Sequence, residues 1–413
     1  MTQSSEVAVV TRLAELAAIG RHSAGISRPL ATAQERAARE LFATWARADG
    51  YALTQDRVGN LFARRAGTFE DAAPILVGSH LDTVQTGGPY DGAYGVVGAL
   101  CALALLDSRR AATAHPVEAV AWVGEEGSRF PFGCLGSSVF AGLMDVDAAL
   151  ALVDDAGTSL RAALAAPDGG LLREVTSRVG TRAAAYLELH IEQGPLLERA
   201  GIPLGVVTAI VAQRRYQVII EGTSGHAGTV PMDQRRDALC AASELILVLE
   251  AVAKSAGDSV VTVGRIAVEP NGTNVIPARV TFSIDARSPD ERRIDAIEQA
   301  FQATSLDVQR QRGVRVTMER LESRAAVPMD PILRQALCRA VESLGEHPLE
   351  IPSGAGHDAM CLASIAPSAM LLVPSIGGRS HVADERTADA DLKLGVAALA
   401  ASILEVDRSL HAK

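Results

Sequence analysis

Pro116-Val-Glu-Ala-Val-Ala-Trp-Val-Gly-Glu-Glu126 is a short apolar run that ends on two adjacent acids. It lacks the period-2 alternation of a half-exposed strand, which is how a strand buried on both faces of an α/β sheet reads. The runs 74–78, 118–123, 186–191 and 369–373 share this character and alternate with helical patterns. One such helix opens at the capping box Thr32-Ala-Gln-Glu35 and places Ala38, Leu41, Phe42 and Trp45 on one face. The pattern predicts an α/β fold with a mixed sheet, in which ligands gather beyond the carboxyl ends of the strands.

Polar residues of one chemical kind cluster at those ends. His80 follows the first run, Glu125 and Glu126 the second, and His190 lies at the end of the third. Alternation within that third strand puts Glu188, His190 and Glu192 on one face. His381 sits in the glycine-rich loop after the fourth run, and Asp91 follows Gly87-Gly88-Pro89-Tyr90 ahead of a helix rich in small residues. Two neighbouring carboxylates at an apolar strand end repel one another, and burying both is costly without a cation. Three histidines with Asp91 and one glutamate suffice for two divalent metal sites. The second glutamate is then left to accept and return a proton. Donors of nitrogen and oxygen, with no thiolate required, suit Zn²⁺ or Mn²⁺. Asp82, two residues after His80, is expected to orient the imidazole from behind.

The middle third reads differently. Strands at 215–221, 259–268, 280–285 and 314–321, with helices at 237–256 and 290–304, follow a β-α-β-β-α-β order. That order predicts a four-stranded sheet with two helices on one face. It is expected as an α+β domain inserted at 211–326 between the halves 1–210 and 327–413 of a metal-binding catalytic domain.

The bulk numbers narrow the class. At 413 residues two domains are the natural expectation, and 48% apolar residues supply ample cores. A net charge of −10 argues against a nucleic-acid partner, which needs clustered Lys and Arg. The uncharged stretch 92–106 is shorter than the roughly 20 apolar residues of a membrane span. Five scattered cysteines without a CxxC pair read as free thiols, and hence as a cytoplasmic protein.

Eight segments, taken in order, resemble the hydantoinase/carbamoylase-type amidases, a group that includes allantoate amidohydrolases and N-carbamoyl-L-amino acid hydrolases. The segments are Gly78-Ser-His-Leu-Asp-Thr83, Gly124-Glu-Glu-Gly-Ser-Arg-Phe130, Glu188-Leu-His-Ile-Glu-Gln-Gly194 and Gly225-His-Ala-Gly-Thr-Val-Pro-Met232. Asn274-Val-Ile-Pro277, Asp285-Ala-Arg287, Ser353-Gly-Ala-Gly-His-Asp-Ala359 and Ser380-His381 complete them. These amidases are binuclear metal-dependent amidohydrolases related to aminoacylase-like metallopeptidases. The resemblance implies two divalent ions per subunit, bridged by Asp91. His80 and Glu126 would complete one pair of contacts, with His190 and His381 supplying the rest. It makes Glu125 the general base and His226 the group that stabilises the developing oxyanion. Asn274 and Arg287 would hold the substrate carboxylate, and Gln193 and His357 would line the site. It further implies a homodimer through the inserted domain, which also acts as a lid, and cleavage of a ureido or N-carbamoyl acid.

Gln213-Arg214-Arg215-Tyr216 is similar to the allantoate-cleaving members, where Arg214 would meet a second polar arm of the substrate. N-carbamoyl-L-amino acids are the alternative substrates; a dipeptidase, an N-acyl amino acid hydrolase and a metal-free binding module are weaker ones. One departure stands out: after His381 the family continues Ser/Asn-Pro-x-Glu, whereas this chain reads Val382-Ala-Asp-Glu385.

Overall fold

The computed structural model describes residues 5–166, 178 and 181–411. They form two compact units, one of residues 1–208 with 329–413 and one of residues 209–328.

In the larger unit, four parallel strands lie side by side in the order Ser368–Val373, Ala185–Ile191, Ile75–His80 and Val117–Trp122. Their carboxyl ends therefore share one edge of the sheet. Antiparallel strands flank them, Leu61–Arg65 on Val117–Trp122 and Gly205–Ile210 on Ser368–Val373, so the sheet is mixed. The four parallel strands are buried along their whole length. Val117, Ala119 and Ala121 join the core built with the helices Ala93–Ser108 and Asp389–His411, while Trp122 packs with Phe62, Phe140 and Tyr186. Full burial of a side chain of this size stabilises by about 1.5–3 kcal/mol, which explains the continuous apolar runs. Thr32 caps the helix Ala33–Ala48 by accepting the Glu35 N–H. The Glu35 carboxylate instead accepts from Ala31 N and pairs with Arg39, so the reciprocal half of the capping box is not made. No helix among the described residues is long and apolar enough to cross a membrane.

The smaller unit is a five-stranded antiparallel sheet rather than a four-stranded one. The single strand expected at 259–268 is two, Val260–Thr262 and Ile266–Glu269, both paired with Arg279–Ser288. From Thr262 to Ile266 the chain advances four residues while its partner advances three, from Asp285 to Phe282. One extra residue is accommodated at the break, which holds Gly264. The second helix runs Glu291–Arg312, eight residues beyond the 304 expected from sequence. The helix continues past Thr304 because Phe301, Ser305 and Val308 extend the buried stripe. Both helices pack on the face formed by Tyr216, Val218, Ile220, Val280, Phe282 and Ile284.

Candidate metal centre and active site

The carboxyl edge of the large sheet gathers the histidines and acids. His80 and His190 end adjacent strands, and both rings are buried. His80 Nδ1 lies 3.0 Å from the Asp82 carbonyl and His190 Nδ1 lies 2.8 Å from the Ile191 carbonyl. A carbonyl only accepts, so each Nδ1 carries the proton and donates it, leaving Nε2 toward Asp91; that of His190 also lies 3.1 Å from the Gly92 N–H. Asp91 occupies the centre. Its Oδ1 lies 3.2 Å from His190 Nε2 and 3.8 Å from His80 Nε2. Its Oδ2 lies 2.9 Å from His381 Nε2 and accepts Gln193 Nε2 at 2.8 Å. Gly92, at φ +62°, makes this approach sterically feasible, because a Cβ there would fall 2.3 Å from His80 Cε1.

Two ligand groups result, His80–Asp91–His190 and Asp91–Glu126–His381, each with its candidate atoms within 4.8 Å of one another. This differs from the pairing the resemblance implies. His80 goes with His190 because their strands are neighbours, and Glu126, past the end of the next strand, reaches His381 at 3.7 Å.

Burial works against the Asp91 carboxylate, but the His190 and His381 hydrogen bonds outweigh it and hold its pKa well below the usual range. His190 shows the reciprocal effect: burial opposes its charge, yet Asp91 pushes it up to about 9. His381 is also raised to about 9, chiefly by its hydrogen bond to Asp91. His80, with burial dominant, falls to about 4 and stays a neutral donor. Burial followed by the charge of Asp91 lifts Glu126 to about 8, and burial followed by Glu126 lifts Glu125 well above the carboxylate range. So much acid packed beside proton-hungry imidazoles fits divalent cations, with Asp91 shared between them.

Glu125 belongs to neither ligand group. Its Oε2 is 3.8 Å from His80 Nε2, and its Oε1 accepts the Cys134 thiol at 3.2 Å, a contact with no signal in the amino-acid pattern. Asp82 is placed differently from the expectation. The His80 ring is held by the Asp82 backbone carbonyl, and the Asp82 carboxylate, 3.9 Å from that ring, accepts the backbone N–H groups of Glu125 and Glu126 at 3.2 Å each. A turn that must present two acids leaves two N–H groups to be satisfied, and Asp82 satisfies both. Gln193 spends its amide N–H on Asp91, and its buried Oε1 has no hydrogen-bond partner among the described residues. His357 packs edge-on against His190, ring centroids 4.6 Å apart, with Nε2 2.7 Å from Ser353 Oγ. Glu385, buried beside Asp91, was passed over in the sequence as the last residue of an altered motif.

In the smaller unit, His226 and Asn274 share one corner. The strand Gly225–His226 pairs with Val275–Ile276, and Ala227 N donates to the Asn274 carbonyl. His226 is exposed, and its Nδ1 accepts the Gly228 N–H at 3.0 Å, so the proton is on Nε2. Arg287 lies on the sheet face opposite the helices, doubly bonded to Asp285 and directly across from Gln213. Arg214 does not share that face. It has the parity of Tyr216 and Val218, is 8% exposed, and places its guanidinium on Asp295 and Glu298 of the helix Glu291–Arg312. The expected role for Arg214 in meeting substrate is therefore corrected: its donors tie helix to sheet.

The sequence model of Peptidase family M20/M25/M40 matches residues 76–405. An N-carbamoyl-L-amino acid amidohydrolase of Geobacillus stearothermophilus is 40% identical over 391 residues, covering 94% of this chain and 95% of the relative. An allantoate amidohydrolase of Bacillus subtilis (strain 168) is also 40% identical, over 377 residues, covering 91% of each. Among solved structures, a hydantoinase/carbamoylase family amidase from Burkholderia multivorans superposes with a TM-score of 0.92 at 36% identity, covering 97% of each chain.

Proposed function

The chain belongs to Peptidase family M20/M25/M40, and from that premise we propose that it is a binuclear metal-dependent amidohydrolase of ureido or N-carbamoyl acids. The observation that carries this reading is the sharing of Asp91 between two ligand groups, with Glu125 standing outside both. His80, Asp91 and His190 would hold one Zn²⁺ or Mn²⁺, and Asp91, Glu126 and His381 the other. Such ions supply Lewis-acid polarisation of a carbonyl and lower the pKa of water.

The chain's own groups do the rest. Glu125 takes the proton of the attacking water and returns it to the departing nitrogen. Its raised proton affinity suits a base that must give the proton up again. Asp82 fixes both glutamates through their backbones, and Gln193 holds Asp91. His226, with Nε2–H outward, is the donor for the developing oxyanion. Asn274 and Arg287 anchor the substrate carboxylate, for which a planar guanidinium is the suited partner. His357 supports the His190 ring. The smaller unit is proposed as the lid and as the surface of a homodimer, which sedimentation tests. Cytoplasmic residence is part of the proposal and is supported by five cysteines that are all free thiols.

Allantoate and N-carbamoyl-L-amino acids stand level as substrates. The relatives that carry those names are equally similar, and Arg214 no longer argues for allantoate. The deciding experiment measures ammonia release from allantoate and from a panel of N-carbamoyl-L-amino acids. The protein is reconstituted with Mn²⁺ or Zn²⁺, and amine release from N-acyl amino acids and dipeptides serves as the counter-assay. Ammonia from one ureido class is expected; turnover of acylated substrates alone would sink the reading.

A further inference from the structure

Glu385 is 2% exposed, and no step of the proposed reaction uses it. Its Oε1 accepts the backbone N–H groups of Tyr90 at 2.9 Å and Asp91 at 3.1 Å. Its Oε2 accepts the Ser380 hydroxyl at 2.7 Å, and that hydroxyl also lies 3.1 Å from Asp91 Oδ2. The acid thus joins two segments distant in the chain, the turn that delivers Asp91 and the loop that delivers His381. The fit is close: a Cβ on Gly88 would lie 2.2 Å from Glu385 Oε1.

The His381 loop needs such support more than the other ligand segments do. His80 and His190 are strand residues held by sheet hydrogen bonds and full burial. His381 has φ +58°, a left-handed backbone that a non-glycine residue keeps only when its surroundings impose it. Its side chain is 49% exposed, and Val382-Ala383 follow it without the proline that would stiffen the chain. The Ser380 hydroxyl on buried Glu385 is the part-buried contact next to it. A neutral amide would accept the Tyr90 and Asp91 N–H groups more weakly and would turn an NH2 toward the Ser380 hydroxyl. An acid adds a stronger acceptor for Ser380, at the cost of standing beside the Asp91 carboxylate.

We propose that Glu385 is a positioning residue that, through Ser380, presets His381 for the cation shared by Asp91, Glu126 and His381. This rests on the two-cation reading. The test titrates metal-free protein with Zn²⁺ by calorimetry, and with Co²⁺ by its absorption spectrum. Wild type is expected to take up two ions. Glu385→Gln and Ser380→Ala are expected to hold the first within about two-fold and the second about 10–100-fold more weakly. Ser380→Thr, which keeps the hydroxyl, is expected to restore the second. Ser380→Ala removes no backbone contact, so it carries the test if Glu385→Gln folds poorly. Wild-type affinity for both ions in Ser380→Ala, or an equal loss at both, would overturn the role. A wild-type protein that binds no ion overturns the two-cation reading itself, and this role with it.

Discussion

The two halves of the candidate metal centre share Asp91 and differ in almost everything else. His80 and His190 are rigid strand ends, fully buried, with ring protons committed to main-chain carbonyls. Glu126 and His381 come from a turn and a loop, and His381 is half exposed. Burial makes the first half expensive to perturb and slow to exchange, while the second can adjust at small cost.

The largest expected effect concerns the residue outside both halves. Glu125→Gln preserves shape and leaves both ligand groups intact, so two ions should still bind while kcat falls by about 10²–10⁴-fold. Steady-state rates paired with metal analysis of the same sample check this. Substantial remaining kcat would remove Glu125 from the chemistry and return the pair to two ligands.

A pair of histidine variants measured without metal separates the two halves. His190→Ala leaves the buried Asp91 carboxylate without its Oδ1 partner and should destabilise the metal-free protein by about 3–5 kcal/mol in urea unfolding. His381→Ala removes a half-exposed partner, and its cost should stay within about 1 kcal/mol. Equal losses would mean that the two halves are built alike.

Much of the site was legible because two signals coincide at the strand ends, an apolar run and the polar residue that stops it. His80, Glu125, Glu126 and His190 are all read this way. The remainder depends on direction, which composition does not carry. Asp82 is two residues from His80, yet its carboxylate turns to the Glu125 and Glu126 backbone while its carbonyl serves the ring. Glu385 lies 294 residues from Asp91, and only the fold brings them together. The helix Glu291–Arg312 outran its expected end because local Thr and Ser preferences yielded to a buried stripe at Phe301, Ser305 and Val308. Arg214 was readable in principle. Alternation along Ala212–Glu221 puts it with Tyr216, Val218 and Ile220, on the covered face.

That alternation gives the smallest and sharpest contrast, between two arginines of the same sheet. Arg287 lies on the open face and is paired there with Asp285. Arg287→Met should raise KM by about 10–100-fold, the equivalent of a lost charged hydrogen bond of roughly 1.5–3 kcal/mol, with a smaller change in kcat. Arg214→Met should leave KM unchanged and instead lower stability by about 1 kcal/mol, because Asp295 and Glu298 lose the cation that ties their helix to the sheet. Both variants are read in one experiment, KM for the preferred ureido substrate beside the urea midpoint. A KM effect at Arg214 as large as that at Arg287 would mean that the helix-facing guanidinium leaves its carboxylates when substrate binds. No group held by Asp295 at 2.6 Å and Glu298 at 3.3 Å should do that without a stronger anion to go to.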